Sequence, residues 1–250
     1  MNVVGRENTG IKKIPEWEYE LWSYLSRGDG TNCPALDSCA TRRGGGWCFE
    51  DNKEGFSGLY GSDIVDFNSS SDESQLDALD NLFKDNFPRE WKACIIFQLV
   101  EALANKYIKQ AKLNRPPVPT EVIGQLNITP SIEIHSLPLK AYHGAAWRLE
   151  DRWVIHINTE DRYTRQRLTL FHEAFHILAH CNSASVFGRR GINRGLFNEM
   201  LAHYFGRCVL MPEGWVKREW AEVNDLKRMA EIFQVKQASM WIRLRTMGLI

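Results

Sequence analysis

Apolar residues in the first half of the chain recur at helical spacing in two stretches, residues 71–83 and 90–112. These stretches predict that the N-terminal part ends in helices. The segment that follows, residues 114–119, contains three prolines, which cannot continue a helix. We therefore predict a domain boundary there, with an N-terminal accessory region over residues 1–113 and a second domain over residues 114–250.

In the second domain, short apolar runs come first, and longer stretches with helical spacing follow them. Strands that precede helices in this way indicate an α+β fold. The expected elements are a short helix at 120–126, a strand at 132–137, a β-hairpin formed by 145–148 and 153–158, helices at 162–180 and about 196–210, and a closing helical pair within 225–244.

The composition excludes several classes of protein. With 44% hydrophobic residues, 25% charged residues and nine tryptophans, the chain has the composition of an ordinary globular protein and not of a disordered or fibrous one. No apolar run approaches the roughly 20 residues that a membrane helix needs. The N-terminal sequence lacks the apolar core of a signal peptide. We therefore expect a cytoplasmic protein that has no membrane partner.

The charges of the chain cancel in total but are unevenly distributed. The 31 basic and 31 acidic side chains give no overall field that would hold a nucleic acid. Residues 1–113 carry 13 basic and 18 acidic side chains, and residues 114–250 carry 18 and 13. All seven histidines lie between His135 and His203. The second domain is therefore where chemistry is expected.

The strongest local motif is the H-E-x-x-H sequence that runs from His172 to His176 within a predicted helix. Residues four apart lie one turn above each other, so both imidazoles can face one zinc ion. Glu173 is then placed to take a proton from water and not to bind the metal. The five-residue motif alone is weak evidence for a zinc site, because an ordinary helix with a polar face can contain the same residues.

A third metal ligand is needed, and its position distinguishes classes of zinc enzyme. One class has a glycine three residues and a histidine six residues after the second ligand, but this chain has Ala179 and Asn182 there. The remaining choice is a glutamate on the next helix. Glu199 is the only acidic residue between Glu173 and Glu213, and it is therefore the predicted ligand.

His203 follows Glu199 by four residues and shares its helix face. We interpret it as a second-shell group that hydrogen-bonds a ligand histidine. A direct ligand and a surface histidine are the alternatives. His180 lies one turn beyond His176 and is expected to be packed or solvent-facing, because three protein ligands leave the fourth position of a catalytic zinc to water.

Three motifs in this order resemble the ImmA/IrrE family of metallo-endopeptidases. They are R-x-R-x-T-x-x-H-E-x-x-H at residues 165–176, E-M-L-A-H at 199–203 and L-M-P at 210–212. The resemblance covers about residues 114–250 and is more specific than the zinc motif alone. Two positions depart from the family pattern, because Phe175 replaces a usual glycine and His203 replaces a usual asparagine.

The resemblance implies a zincin-like fold, in which a small sheet packs on the metal helix. It also implies that His172, His176 and Glu199 are zinc ligands and that Glu173 is the general base of a zinc endopeptidase. Family members are associated with cleavage of a partner transcriptional repressor, so the expected partner is a protein substrate, in particular a helix-turn-helix repressor. The candidates for the residue that stabilises the oxyanion are Tyr163, His156 and Tyr204.

The closing helical pair offers an alternative of a different class. Its pattern resembles a helix-turn-helix with Val235 at the turn, so the protein could be a DNA-binding regulator that contains a structural zinc. The apolar positions instead favour a packed pair, and Lys236, Arg243 and Arg245 are few for a phosphate-binding surface. Direct nucleic-acid binding is not expected. A third alternative is a catalytically inactive domain whose zinc site only senses metal or redox state.

Four cysteines precede the predicted boundary. Cys33, Cys39 and Cys48 lie in a Gly-rich stretch, and Cys94 could complete a set of four thiolates. Such a set could bind a second, structural zinc or an iron–sulfur cluster. The alternative is buried, reduced cysteines, because the chain has no C-x-x-C motif.

The hairpin provides a candidate for holding the substrate. Its first strand contains the small residues Ala145 and Ala146, which permit close approach of another chain. An edge strand beside a metal helix can pair with an extended peptide through main-chain hydrogen bonds. We therefore predict that these alanines lie on a strand within reach of the cleft. The alternative is a buried hairpin whose alanines only pack in the core.

Overall fold

The computed structural model gives the architecture of the second domain and of two helices that precede it. The residues that it describes are 15–27, 95–126, 128, 131–139, 143–182 and 192–250, without the side chains at 24–27, 95, 182 and 192–200. Cys33, Cys39, Cys48 and Cys94 lie outside these residues, so their metal site stays a prediction. The helix expected at 71–83 also lies outside them.

The described elements form a small sheet and several longer helices, and we label them in chain order. Two helices, a 3₁₀ helix and three strands come first: α1 (Glu16–Arg27), α2 (Ile95–Gln110), the 3₁₀ helix (Thr120–Leu126), β1 (Ile132–Leu137), β2 (Gly144–Arg148) and β3 (Trp153–Asn158). Five helices follow: α3 (Tyr163–Asn182), α4 (Ile192–Leu210), α5 (Glu213–Val223), α6 (Leu226–Phe233) and α7 (Gln237–Thr246). The predicted α+β class is confirmed.

The sheet has three strands in the order β1-β3-β2, with β1 parallel and β2 antiparallel to β3. The central strand carries Trp153, Ile155 and Ile157 on one face, and these three apolar side chains are all buried. Ile155 and Ile157 pack with Leu170 and Ile177 of α3. The sheet therefore lies directly against the helix that carries the H-E-x-x-H motif.

The second layer is helical, and α4 packs closely on α3. A side chain at Gly206 would lie 3.0 Å from Leu168 Cδ1 and 3.3 Å from the Leu168 carbonyl oxygen. A side chain at this position would therefore have to displace Leu168, and glycine favours the close packing of the two helices. Phe175, where the resembling family has glycine, packs against Phe205 of α4, with ring centroids 5.3 Å apart. It fills the interface behind the metal helix.

Helix α2 belongs to the same core, although it precedes the predicted boundary at residues 113 and 114. Tyr107 of α2 packs edge-to-face on Phe205, with ring centroids 6.4 Å apart. Phe97 packs in the same way on Tyr204, at 5.0 Å. Helix α1 adds Leu21 and Trp22 to the same apolar cluster. The division into residues 1–113 and 114–250 stays a prediction about units that fold independently.

Two helices were missed by the sequence analysis. In α1, Trp17, Leu21 and Trp22 lie on the face that packs against the core, and this i, i+4 spacing was a usable signal. Helix α5 begins directly after Pro212, with Glu213 in its first turn, where a negative charge suits the helix dipole. Pro212 was predicted only as the end of α4, and it also immediately precedes the start of α5.

Candidate metal centre

The two histidines of the motif converge as their spacing predicts. The Nε2 atoms of His172 and His176 are 3.0 Å apart, and their ring centroids are 4.7 Å apart. His172 is buried, with 7% of its surface exposed, and His176 is half-buried. One turn of α3 therefore places two imidazole nitrogens at one point on the inner side of the helix.

This spacing fits two ligands of one zinc ion. Zinc–nitrogen bonds of about 2.0–2.1 Å at tetrahedral angles place two ligand nitrogens about 3.3 Å apart. The 3.0 Å between the Nε2 atoms is close to that value. Among the side chains that the structure describes, no group of three or more His, Cys, Asp or Glu residues could hold a metal. The side chain of Glu199, the predicted third ligand, lies outside the described part.

The position of Glu199 on α4 is nevertheless defined by its neighbours on the same helix. Residues 199, 203 and 206 lie on one face at spacings of four and three. A Cβ at Gly206 would lie 3.6 Å from the backbone nitrogen of His172, so this face meets α3 at a predicted ligand. The ring of His203 is 4.2 Å from that of His172, centroid to centroid. His203, which was predicted to hydrogen-bond a ligand histidine, is therefore in ring contact with a predicted ligand.

Glu173 lies where the first residue of β2 meets α3. A Cβ at Gly144 would come within 2.4 Å of Thr169 Cγ2 and 3.5 Å of Glu173 Cγ. The absence of a side chain at Gly144 therefore allows the strand to lie against the helix at Glu173. Because Glu173 is only half-buried, its carboxylate stays within reach of solvent.

The hydrogen-bond pattern of the hairpin shows which peptide groups of β2 remain available. Leu149 donates to Arg152 at 2.9 Å, and Asn158 donates to His143 at 3.0 Å. Bonded and non-bonded pairs alternate in an antiparallel ladder, so Ala145 bonds to β3 and Ala146 does not. Among the described strands, β2 pairs only with β3. The N–H and C=O of Ala146 therefore point to an edge that no described strand occupies.

The three oxyanion candidates lie away from the histidine pair. Tyr204 donates its hydroxyl to Glu101 at 2.9 Å, and burial raises the pKa of Tyr204 well above its ordinary value. His156 neighbours Ile155, which faces α3, so it lies on the opposite face of the sheet. Tyr163 is nine residues before His172, about 13 Å along the helix. The oxyanion donor therefore remains unassigned.

Two further histidines were not assigned a role in the metal centre by sequence. His180 is exposed and packs edge-to-face on Trp153, with ring centroids 5.0 Å apart, as expected of a histidine outside the ligand set. His143 was not singled out. Its Nδ1 is 2.8 Å from Asp161 Oδ2, and its Nε2 contacts Arg165. In the sequence, the only indication that His143, Asp161 and Arg165 would form a cluster was Arg165, the first arginine of the R-x-R-x-T motif.

The closing helices α6 and α7 form the predicted pair, with Val235 in the connection between them. Eight of the ten residues of α7 are buried, so this helix offers no surface that could enter a DNA groove. Arg243, one of three basic residues considered for phosphate contact, pairs with Glu101 in the interior. The structure gives no support to the DNA-binding alternative.

The comparison with known families agrees with this geometry. Residues 129–245 match the family model Peptidase_M78, described as the IrrE N-terminal-like domain. The matched range begins before β1 and ends within α7, so it includes the H-E-x-x-H motif and Glu199. No curated protein matches the chain. Within the described residues, none of the helices has the length and apolar character needed to cross a membrane.

Proposed function

Because residues 129–245 belong to the ImmA/IrrE family of metallopeptidases, we propose that the protein is a zinc-dependent endopeptidase that hydrolyses a peptide bond in a specific protein substrate. The observation that carries the proposal is the convergence of His172 and His176, whose Nε2 atoms are 3.0 Å apart. Glu173 is the neighbouring residue on the helix, and β2 begins beside it. The donor set, the base and a strand edge therefore lie together.

We assign His172, His176 and Glu199 as the zinc ligands. The two histidines supply neutral nitrogen donors, and Glu199 supplies an oxygen donor from α4, which is a ligand set of catalytic zinc sites. The close packing of α4 on α3 at Gly206 supports the choice of Glu199. His203 would orient the His172 ring, since the two rings are in contact.

Bound zinc would lower the pKa of water and polarise the scissile carbonyl. Glu173 would accept the proton of the attacking water and deliver it to the departing amine. The free N–H and C=O groups of β2 would hold the substrate in an extended form. A partner helix-turn-helix repressor is the substrate that we propose, and its support is the family resemblance.

The proposal is tested by removing the metal. Zinc-loaded protein should cleave members of a proteome-derived peptide library, and 1,10-phenanthroline should stop the cleavage because it removes the ion that the histidines hold. Added zinc should restore it. Mass spectrometry of the products identifies the cleaved bonds. Cleavage that continues in protein shown to be free of metal would contradict the zinc mechanism, and no cleavage by the zinc-loaded protein would contradict the peptidase assignment.

The third ligand is tested by Glu199→Ala. This variant should lose most of its zinc on dialysis, because two imidazoles alone leave the ion with too few protein ligands. The zinc content per chain is measured by inductively coupled plasma mass spectrometry. Glu222→Ala is the matched control, since Glu222 is an exposed acidic residue on α5. If Glu199→Ala keeps as much zinc as this control, the ligand is a different residue and His203 becomes the candidate.

The role of β2 is tested by comparing proline at two adjacent positions. Ala146→Pro should impair cleavage while zinc content and thermal stability stay near those of the wild type, because the N–H that it removes points to the open edge. Ala145→Pro should also destabilise the fold, because it removes an N–H that bonds to β3. Equal destabilisation by both prolines, or undiminished cleavage by Ala146→Pro, would show that this edge does not bind substrate.

A further inference from the structure

Three polar side chains meet where the start of β2 lies beside the first turn of α3. His143 immediately precedes β2, Arg165 is in the first turn of α3, and Asp161 is in the loop between β3 and α3. The His143 Nδ1 atom is 2.8 Å from Asp161 Oδ2, and its Nε2 atom is within hydrogen-bond distance of Arg165 Nη1. Three separate segments thus bring these side chains together.

The contacts of His143 hold both neighbouring side chains. A carboxylate can only accept, so Nδ1 of His143 donates its proton to Asp161. The Nη1 atom of Arg165 lies 3.2 Å from Nδ1 and also contacts Nε2, so this end of the guanidinium lies against the imidazole ring. Among the described residues, the hydrogen bonds of the Arg165 guanidinium all come from Nη1, so its Nε and Nη2 donors are available.

The position of Arg165 relates it to the proposed chemistry. Arg165, Thr169 and Glu173 follow one another at intervals of four residues, on the helix face that Gly144 touches. Arg165 is eight residues from Glu173, which is about 12 Å along the helix. An extended peptide covers this distance with three or four residues at about 3.3 Å each. Arg165 thus lies within reach of a peptide bound along β2.

The surroundings favour an anion at this place. Arg165 lies in the first turn of α3, where the helix dipole attracts negative charge. Asp161 is the nearby negative charge, but it is engaged with His143 and its side chain is only 14% exposed. Arginine binds carboxylates through paired donors, and two adjacent donors of Arg165 are open.

We propose that Arg165 is a substrate-binding residue that recognises a carboxylate three or four residues from the cleaved bond. His143 and Asp161 are positioning residues, because they hold the guanidinium by one donor and leave the others free. This inference rests on the proposed peptidase function and adds to it a preference for one chemical group. The carboxylate comes either from an Asp or Glu side chain or from the C-terminus of the substrate.

The inference is tested with the full-length, zinc-loaded protein and a proteome-derived peptide library. Around the bonds that the wild type cleaves, Asp and Glu should be enriched at one position three or four residues away. Arg165→Gln should remove this enrichment and lower kcat/KM for an acidic peptide by about 10- to 100-fold, mostly through KM, because a charged hydrogen bond is lost. Arg165→Glu should shift the preference to Lys and Arg. Arg162→Gln, the matched control, should keep the acidic preference.

The two sources of the carboxylate are distinguished by synthetic peptides. One peptide has an internal Glu at the enriched position, and the others end there with a free carboxylate or with an amide. Faster cleavage of the peptide with the internal Glu identifies a side-chain carboxylate as the recognised group. A difference in cleavage rate between the free-carboxylate peptide and the amide peptide identifies the C-terminus.

Zinc content and circular dichroism establish that the variants are folded and loaded. Cleavage by the wild type with no acidic preference, or the same preference in Arg165→Gln, overturns the inference and leaves the peptidase assignment standing. Absence of all cleavage by zinc-loaded wild type overturns both.

Discussion

Glu173→Gln should bind zinc as the wild type does and lose peptide cleavage by about 10²- to 10⁴-fold, the range that a positioned general base contributes. The amide has the size and shape of the carboxylate but cannot accept the proton of the attacking water. Packing at the start of β2 should be unchanged, because Gly144 meets the Cγ atom that both side chains share. Rates are measured on peptides that the wild type cleaves.

Two controls separate loss of the base from loss of the site. Metal analysis of Glu173→Gln should find the same zinc content as in the wild type, since Glu173 is not assigned as a ligand. Glu150→Gln changes an exposed carboxylate in the hairpin connection and should cleave at the wild-type rate. A Glu173→Gln variant that cleaves as fast as this control would show that another group takes the proton.

The parts of the site that could be predicted are those determined by one helix turn. His172 and His176 face one point because residues four apart on a helix do so in any fold. The same rule placed His203 on the face of Glu199, and its ring is indeed in contact with His172. The hairpin strands were also predictable, because apolar runs separated by a short polar connection pair locally.

The parts that could not be predicted depend on contacts between distant segments. His143, Asp161 and Arg165 meet only because the start of β2 lies beside the first turn of α3. Spacing along the chain contains no information about that meeting. The hydrogen-bond alternation that leaves Ala146 open also requires the register of β2 on β3, which the sequence suggests only in part.

Arg243 is the clearest example of a residue whose environment could not be predicted from the sequence. In the sequence it is one of several basic residues near the C-terminus, and such residues are usually exposed. In the structure it is buried and forms an ion pair with Glu101, 142 residues earlier in the chain. Its Nε donates to the Met211 carbonyl at 3.0 Å, and Tyr204 donates to the second oxygen of Glu101 at 2.9 Å. This network joins α2, α4 and α7.

Loss of one member of this network should be costly. Glu101→Ala should lower the free energy of unfolding by about 3–5 kcal/mol, because it leaves the Arg243 charge buried without its counter-charge. That is a large part of the roughly 5–15 kcal/mol by which domains are stable. Urea unfolding followed by circular dichroism measures the change. Glu231→Ala, which breaks the exposed Arg228–Glu231 pair, should cost about 1 kcal/mol or less.

A double variant separates the charge from the packing. Replacing both partners, as in Glu101→Leu with Arg243→Met, removes the buried charges together and should recover much of the lost stability, since apolar pairs often replace buried ion pairs at little cost. Recovery would show that the penalty in Glu101→Ala comes from the unpaired arginine. A loss below about 1 kcal/mol in Glu101→Ala would contradict this account.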